Sequence, residues 1–286
     1  MDRRGAWCAE PGTALVGCGD YIDRGADVPG VITLLRRLTT QAEAAGSTVV
    51  LARGNHEQMA LDGLRGDDSA LYSWLCTGGA VTAASLGCET DRRVLFGGVG
   101  DLRPLLRDVR AALGGSGWLL PWLETLVDAV RWRDVLFVHG GLPSYRPLEQ
   151  MGGKDADHLW IRHAFFDEPR DPGDPRYVDY EEAGIDRVVF GHTTHAVPTV
   201  FHDGRSLCLD TNACGKNRSV PAEQAAVTLA RIPKRGSLAE AQLVRVSTAN
   251  APDRHPGRPD WVNSPAVRER ARERERERET ETATGA

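Results

Sequence analysis

The sequence predicts an α/β layered fold whose chemistry collects at the carboxyl ends of its strands. Three observations carry this. Short apolar runs alternate with polar loops and helix-like stretches, twice over in the first 64 residues, and that alternation marks α/β layering. Four separate apolar runs each end just before a polar residue: Asp20, Asn55, His139 and His192. The chain of 286 residues is 41% apolar, enough for one large core or two small ones.

Residues 1–13 are polar and show no strand pattern. Ala14–Cys18 reads as a buried strand, followed by Gly19-Asp20-Tyr21-Ile22-Asp23-Arg24-Gly25. Two carboxylates and a guanidinium within five residues, at the end of a buried strand, need partners. From Val28 to near Gly46, Val31, Leu34, Leu35 and Leu38 recur at helical spacing. Thr48–Ala52 is a second strand, rich in β-branched residues. It runs into Arg53-Gly54-Asn55-His56-Glu57, and Gln58–Leu64 continues as helix.

Residues 66–133 read as a helical insertion without chemistry, with its best helices at Ser69–Cys76 and Trp118–Val130. Val135–Val138 is a third strand ending at His139-Gly140-Gly141, and Leu159–Arg162 is a short apolar run closed by arginine. The Asp- and Pro-rich stretch Asp167–Asp179 reads as a surface loop. Arg187–Phe190, Ser206–Thr211 and Ala225–Ile232 are the fourth, fifth and sixth strands. The predicted catalytic unit is thus 1–247. Residues 248–286 form a charged tail, almost pure Arg/Glu from Arg268 to Glu279. With no apolar face it cannot join a core and is expected to be disordered.

The net charge of −5 argues against nucleic acid as a partner. No apolar run approaches the roughly 20 residues that span a bilayer, and no apolar segment follows Met-Asp-Arg-Arg as a secretory signal would require. The six cysteines are scattered, with no C-x-x-C pair, and read as reduced thiols of a cytoplasmic protein.

One Asp, one Asn and two His after separate strands form a mixed O/N ligand set, which suits Mn, Fe or Zn better than Ca or Mg. An Asp can bridge two ions, and two ions about 3.5–4 Å apart lower the pKa of a bridging water and clamp a phosphoryl group. Arg24 and Arg162 are the candidate phosphate-holding pair. His56 follows the Asn ligand and cannot easily share its ion. It is better cast as the acid that protonates a leaving oxygen, with Asp23 orienting it. Glu57 reads as loop support by hydrogen bonding, His195 as a loop histidine, and His158, His163 and His202 as surface or packing residues.

The motifs GDYIDRG, RGNHEQMALDGL, FVHGGL, LWIR and VVFGHT, in this order, resemble the calcineurin-like metallophosphoesterases, and within them the bacterial and phage branch of PPP-type serine/threonine protein phosphatases. The resemblance runs from about Leu15 to about Ile232. It implies a β-sandwich flanked by helices and two divalent metal ions, commonly manganese. Asp20 resembles the bridging ligand, and Asn55, His139 and His192 the remaining ligands of one ion. His56 and Asp23 resemble the acid and its orienting carboxylate, Arg24 and Arg162 the phosphate clamp. The implied reaction is hydrolysis of phosphomonoesters by metal-activated hydroxide, on a phosphorylated protein or a small phosphoester. Asp210-Thr211-Asn212-Ala213 resembles a family DTGA element with Asn in the Gly position, a swap that keeps a residue tolerant of positive φ.

One departure stands out. The family pattern opens with an Asp-x-His-Gly motif on a first strand, and no such motif precedes Asp20. Either the start was placed too far downstream or the first strand and its two ligands are lost; as written, the expectation is a fold with its first strand missing, one metal site incomplete, and weak or absent turnover. Two other readings stay open: a hydrolase of dinucleoside polyphosphates or other small phosphoesters, and a non-catalytic phosphate-binding relic.

Overall fold

The computed structural model describes residues 11–25, 27–88, 90, 95, 101–143, 157–162, 184–215 and 217–248. The Asp167–Asp179 loop, His163, the Arg/Glu tail and residues 1–10, where the expected loss of the first motif falls, lie outside the described residues.

Strands β1 (Ala14–Gly17) and β2 (Thr48–Leu51) pair in parallel, Ala14 opposite Thr48 and Gly17 opposite Leu51. Helix α1 (Val28–Ala44) connects them. The Asp27 carboxylate caps it by accepting the Gly30 N–H at 2.9 Å, and Pro29 occupies its first turn. The buried face of α1 is Val28 and Ile32, with Leu35 packed against the same core. Val31 and Leu34 from the expected stripe are exposed. The i, i+4, i+7 row from Val28 wins because it lies over the core.

Helix α2 (Asn55–Arg65) starts directly after β2 and ends at Gly66, whose φ of +122° favours glycine. Then come α3 (Asp68–Trp74), a π-helical turn (Leu75–Gly79), α4 (Ala80–Ser85), α5 (Arg103–Gly114) and α6 (Leu119–Glu124). They share a core with α1 and α2 through Ile32, Leu61, Leu71, Trp74, Leu113 and Leu119. The expected helix Trp118–Val130 is too long. It ends at Glu124, and the chain then turns into sheet. Arg53 Nη2 donates to the Leu126 carbonyl at 2.7 Å, and Val127 exchanges backbone bonds with Leu51 and Arg53. These bonds draw Val127 out of the helix, and the following Ala129–Trp132 pairs with Val135–Val138, so the insertion is helical only as far as Glu124.

Five strands form a mixed sheet in the order β3 (Ala129–Trp132), β4 (Val135–Val138), β5 (Arg187–Phe190), β7 (Ser206–Cys208), β6 (Thr199–Phe201). The pairs β4–β5 and β5–β7 are parallel, and the two edge pairs antiparallel. Alternation divides the buried strands between two faces. Val135, Phe137, Val189 and Leu207 meet Val16 and Cys18 from the β1 side and Ala230 and Ile232 from the C-terminal side. Leu136, Val138, Val188, Phe190 and Cys208 pack with Leu142, Ile161 and Ile185 on the other face. Strands β8 (Ala226–Arg231) and β9 (Gln242–Ser247) close the described chain as an antiparallel pair. The result is the layered α/β arrangement expected, with β3, β6 and β9 unforeseen. Among the described residues no helix is long and apolar enough to cross a membrane.

Candidate metal centre

Two loops meet first. Gly19, at φ +89°, lies so close to Gly54 and His139 that a Cβ on it would sit 2.6 Å from the Gly54 nitrogen and 2.7 Å from His139 Nδ1. Only glycine permits this approach. Glu57, fully buried in α2, then ties the loops together. Its Oε1 accepts the N–H groups of Tyr21 (2.7 Å) and Ile22 (3.0 Å). Its Oε2 accepts those of Asp20 (2.8 Å) and Gly54 (2.9 Å). Burial and the Asp20 charge push the Glu57 pKa up to about 7, against the pull of the Ile22 and Asp20 amides. The expected role of Glu57 as loop support is what the geometry shows.

Around that tie, Asp20, Asp23, Arg24 and His192 all adopt left-handed backbone, with φ between +57° and +72°. A left-handed non-glycine residue costs about 1 kcal/mol. Four of the eight nominated site residues carry this strain.

The nominated ligands converge. His139 Nδ1 lies 2.7 Å from the Cys18 carbonyl. A carbonyl only accepts, so Nδ1 carries the hydrogen and Nε2 is the ring nitrogen turned toward the site. That Nε2 is 3.0 Å from Asn55 Oδ1 and 3.3 Å from Asp20 Oδ1. His192 Nε2 is buried and has no hydrogen-bond partner among the described residues. Burial, His139 and Arg162 drive the His192 pKa down to about 3, so its ring is neutral. The Asp20, His139 and His192 ligand atoms all lie within 4.8 Å of one another, the one such group among the described residues. Acceptors turned toward one another around a buried, unpartnered nitrogen are the chemistry of a cation site. The donor set of carboxylate, amide and two imidazoles fits a divalent ion of the Mn, Fe or Zn kind.

His56 Nδ1 lies 2.5 Å from Asp23 Oδ2, both side chains buried. Burial alone would lower the His56 pKa. The Asp23 hydrogen bond and the charges of Asp20 and Asp23 outweigh it, and the pKa rises. Among the described residues nothing bonds its Nε2. Arg162 donates to the His192 carbonyl at 2.7 Å. Exposed Arg24 donates through Nε to the Thr77 carbonyl at 3.1 Å. The Arg24 charge is felt at both Arg162 and His56.

The insertion is not free of chemistry, contrary to expectation. Trp74 Nε1 and Thr82 Oγ1 donate to Asp23 Oδ1 at 3.1 and 2.6 Å, and Thr77 supplies the carbonyl under Arg24. The Gly78-Gly79 pair was the available signal. Gly78 has φ +143° and packs on Asp23 and Arg24, and a side chain at Gly79 would strike the Trp74 indole.

The other described histidines lie outside the ligand group. His158 is a packing residue, fully buried in helix α7 (Asp157–Trp160), with neither ring nitrogen partnered among the described residues. Burial lowers its pKa and keeps it neutral. His195, whose N–H donates to the Asp210 carbonyl at 2.9 Å, lies outside the ligand group. His202 is half-buried and pairs with Ser206 at 2.8 Å. Asn212 does hold a left-handed turn, at φ +61°, with its N–H on Asp210 Oδ1 at 3.0 Å.

Residues 7–196 match the profile of the calcineurin-like phosphoesterases. Serine/threonine-protein phosphatase 1 of Salmonella typhimurium is 32% identical over 168 residues, which cover 58% of this chain and 71% of that protein. Among solved structures, the cold-active protein-tyrosine phosphatase of a psychrophilic Shewanella aligns with a TM-score of 0.47 at 21% identity. That alignment covers 75% of this chain and 64% of the Shewanella protein, short of two thirds of its length. A putative diadenosine tetraphosphatase aligns with a TM-score of 0.40 at 19% identity, covering 82% of this chain and 79% of the other.

Proposed function

Since the chain belongs to the calcineurin-like phosphoesterase family, we propose that it hydrolyses phosphomonoesters on phosphorylated serine or threonine of a protein, with manganese as working ion, in the cytoplasm. The convergence of Asp20, Asn55, His139 and His192 acceptors, with His192 Nε2 buried and unpartnered, carries this reading. The Salmonella protein phosphatase supports the substrate class. We take 1–247 as the catalytic unit and 248–286 as an appended tail. The end of β9 at Ser247 supports that boundary.

Asp20, Asn55, His139 and His192 would hold the metal. Divalent ions there would supply the charge that makes water nucleophilic at neutral pH and neutralises the phosphoryl group. Arg24 and Arg162 orient phosphate oxygens through charge-assisted hydrogen bonds. Asp23 fixes the Nδ1–H of His56, so Nε2 carries the transferable proton. As water oxygen bonds to phosphorus and the ester O–P bond breaks, His56 gives that proton to the leaving oxygen. Water's own proton passes to solvent, and the products are the alcohol and inorganic phosphate.

The test is turnover by the Mn²⁺-loaded full chain on a phosphoserine peptide, diadenosine tetraphosphate and p-nitrophenyl phosphate. Phosphate release from the peptide with the highest kcat/KM is expected. Preference for the dinucleotide would move the assignment to a small-phosphoester hydrolase. No turnover of any substrate would leave only phosphate binding.

A further inference from the structure

Asp23 serves the site without joining the ligand group. Its Oδ2 is given to His56. Its Oδ1 is saturated by two neutral donors from the helical insertion, the Trp74 indole N–H and the Thr82 hydroxyl. The same Thr82 oxygen accepts the Asp23 backbone N–H at 3.0 Å. One hydroxyl thus pins both the side chain and the left-handed backbone of Asp23, which sits at φ +72°. Trp74 and Thr82 are each fully buried, and Gly79 gives the indole its space. Neither residue approaches the ligand group or the arginine clamp by any described bond, so the cluster acts on the site through Asp23 alone.

We propose that Trp74 and Thr82 are positioning residues for acid catalysis: they hold the Asp23 carboxylate so that its free oxygen fixes the Nδ1–H of His56 and aims Nε2 at the leaving group. The proposal rests on the assignment of His56 as the acid. Saturation of Oδ1 leaves Oδ2 as the single lone-pair face for the imidazole, so the ring has one orientation rather than several. Loosening the carboxylate lets the ring swing, and proton transfer falters before metal or phosphate binding does.

A leaving group that departs easily needs little help from an acid, whereas a poor one depends on it. Thr82→Val removes the hydroxyl at constant shape, Trp74→Phe removes the indole donor, and Thr82→Ser keeps the hydroxyl. Each Mn²⁺-loaded variant is assayed on p-nitrophenyl phosphate, whose leaving group is good, and on phenyl phosphate, whose leaving group is poor. Thr82→Val and Trp74→Phe are expected to lose about 10- to 100-fold in kcat on phenyl phosphate, and less than about 3-fold on p-nitrophenyl phosphate. KM and manganese affinity stay unchanged, and Thr82→Ser restores the wild-type ratio between the two esters. Equal losses on both esters would mean a structural role and overturn the proposal, as would no loss on either. If Thr82→Val does not fold, Trp74→Phe and Thr82→Ser decide by the same ratio. Wild type inert toward both esters would instead overturn the hydrolase reading, and the proposal with it.

Discussion

Replacing Glu57 by Gln changes one carboxylate oxygen into an amide nitrogen at the point where the two site loops are tied. Each carboxylate oxygen accepts two backbone N–H groups, Tyr21 and Ile22 on one side, Asp20 and Gly54 on the other. Whichever way the carboxamide turns, its NH₂ faces two donors. Two hydrogen bonds to a charged group are lost, at about 1.5–3 kcal/mol each, for a total of roughly 3–6 kcal/mol. That is a large share of a stability that is typically about 5–15 kcal/mol. For a chain of this size it lowers Tm by roughly 6–24 °C. The loss falls on the segment that carries Asp20, Asp23 and Arg24 in strained conformations, so manganese affinity drops with it. The assay is urea denaturation and manganese titration of wild type and Glu57→Gln at pH 8.5, above the Glu57 pKa of about 7, where the carboxylate is ionised. A stability loss under about 1 kcal/mol would refute the reasoning, because four acceptor contacts to a carboxylate are worth more than that.

His139→Ala removes the nitrogen closest to both Asn55 and Asp20, and calorimetric titration should show manganese affinity falling by at least about 100-fold. Manganese should raise the Tm of wild type but not of this variant. Arg24→Ala should lower kcat/KM by about 10- to 100-fold while manganese affinity holds, since it removes a charge-assisted contact to phosphate; Arg162→Ala should lower kcat/KM as much and weaken manganese binding as well, because Arg162 also holds the His192 carbonyl, and unchanged steady-state kinetics would remove that arginine from the clamp. Asp134→Asn leaves the guanidinium of buried Arg187 without its anionic partner at 2.7 Å, and urea denaturation should read about 1–2 kcal/mol less stability, allowing for the partial exposure of Asp134. The Arg187 bond holds the Asp134 pKa below its ordinary value. Its stabilisation is therefore complete above the unfolded pKa of about 3.9 and is lost as pH falls through the lower folded value; a pH profile identical in wild type and Asp134→Asn would contradict this.

How far the site can be read from sequence depends on which of its interactions are local. Asp20, Asn55, His139 and His192 are legible because each stands just past a run of apolar residues. Parallel pairing of β1 with β2 and of β4 with β5 aligns the ends within each pair. Trp74 and Thr82 are not legible. Their bonds to Asp23 span 51 and 59 residues, and an indole on a helix reads as core whether or not its N–H has a carboxylate to meet. The end of α6 departs from expectation for a related reason. Leu126 to Val130 suits a helix or a strand by composition, and the bonds of Val127 to Leu51 and Arg53, with the pairing of β3 to β4, decide between them. Strand β9 is hidden because its valines and leucine face outward, so no buried run announces it.

The left-handed residues draw the site and the fold together. Glycine would occupy the positions of Asp20, Asp23, Arg24 and His192 at less conformational cost, yet it would supply none of the proposed ligands, acid partner or clamp. At Asp20, Asp23 and His192 the strain of about 1 kcal/mol each is offset by neighbours that grip the backbone. Glu57 holds the Asp20 N–H, Thr82 holds the Asp23 N–H, and Arg162 holds the His192 carbonyl. Each grip comes from a residue that also serves the site or touches one that does. A substitution that loosens a grip therefore lets the backbone relax and withdraws a functional side chain in the same motion. Stability and activity should fall together for Glu57→Gln. For Thr82→Val the metal centre, whose Asp20 is still held by Glu57 and whose other ligands follow other strands, should outlast the acid.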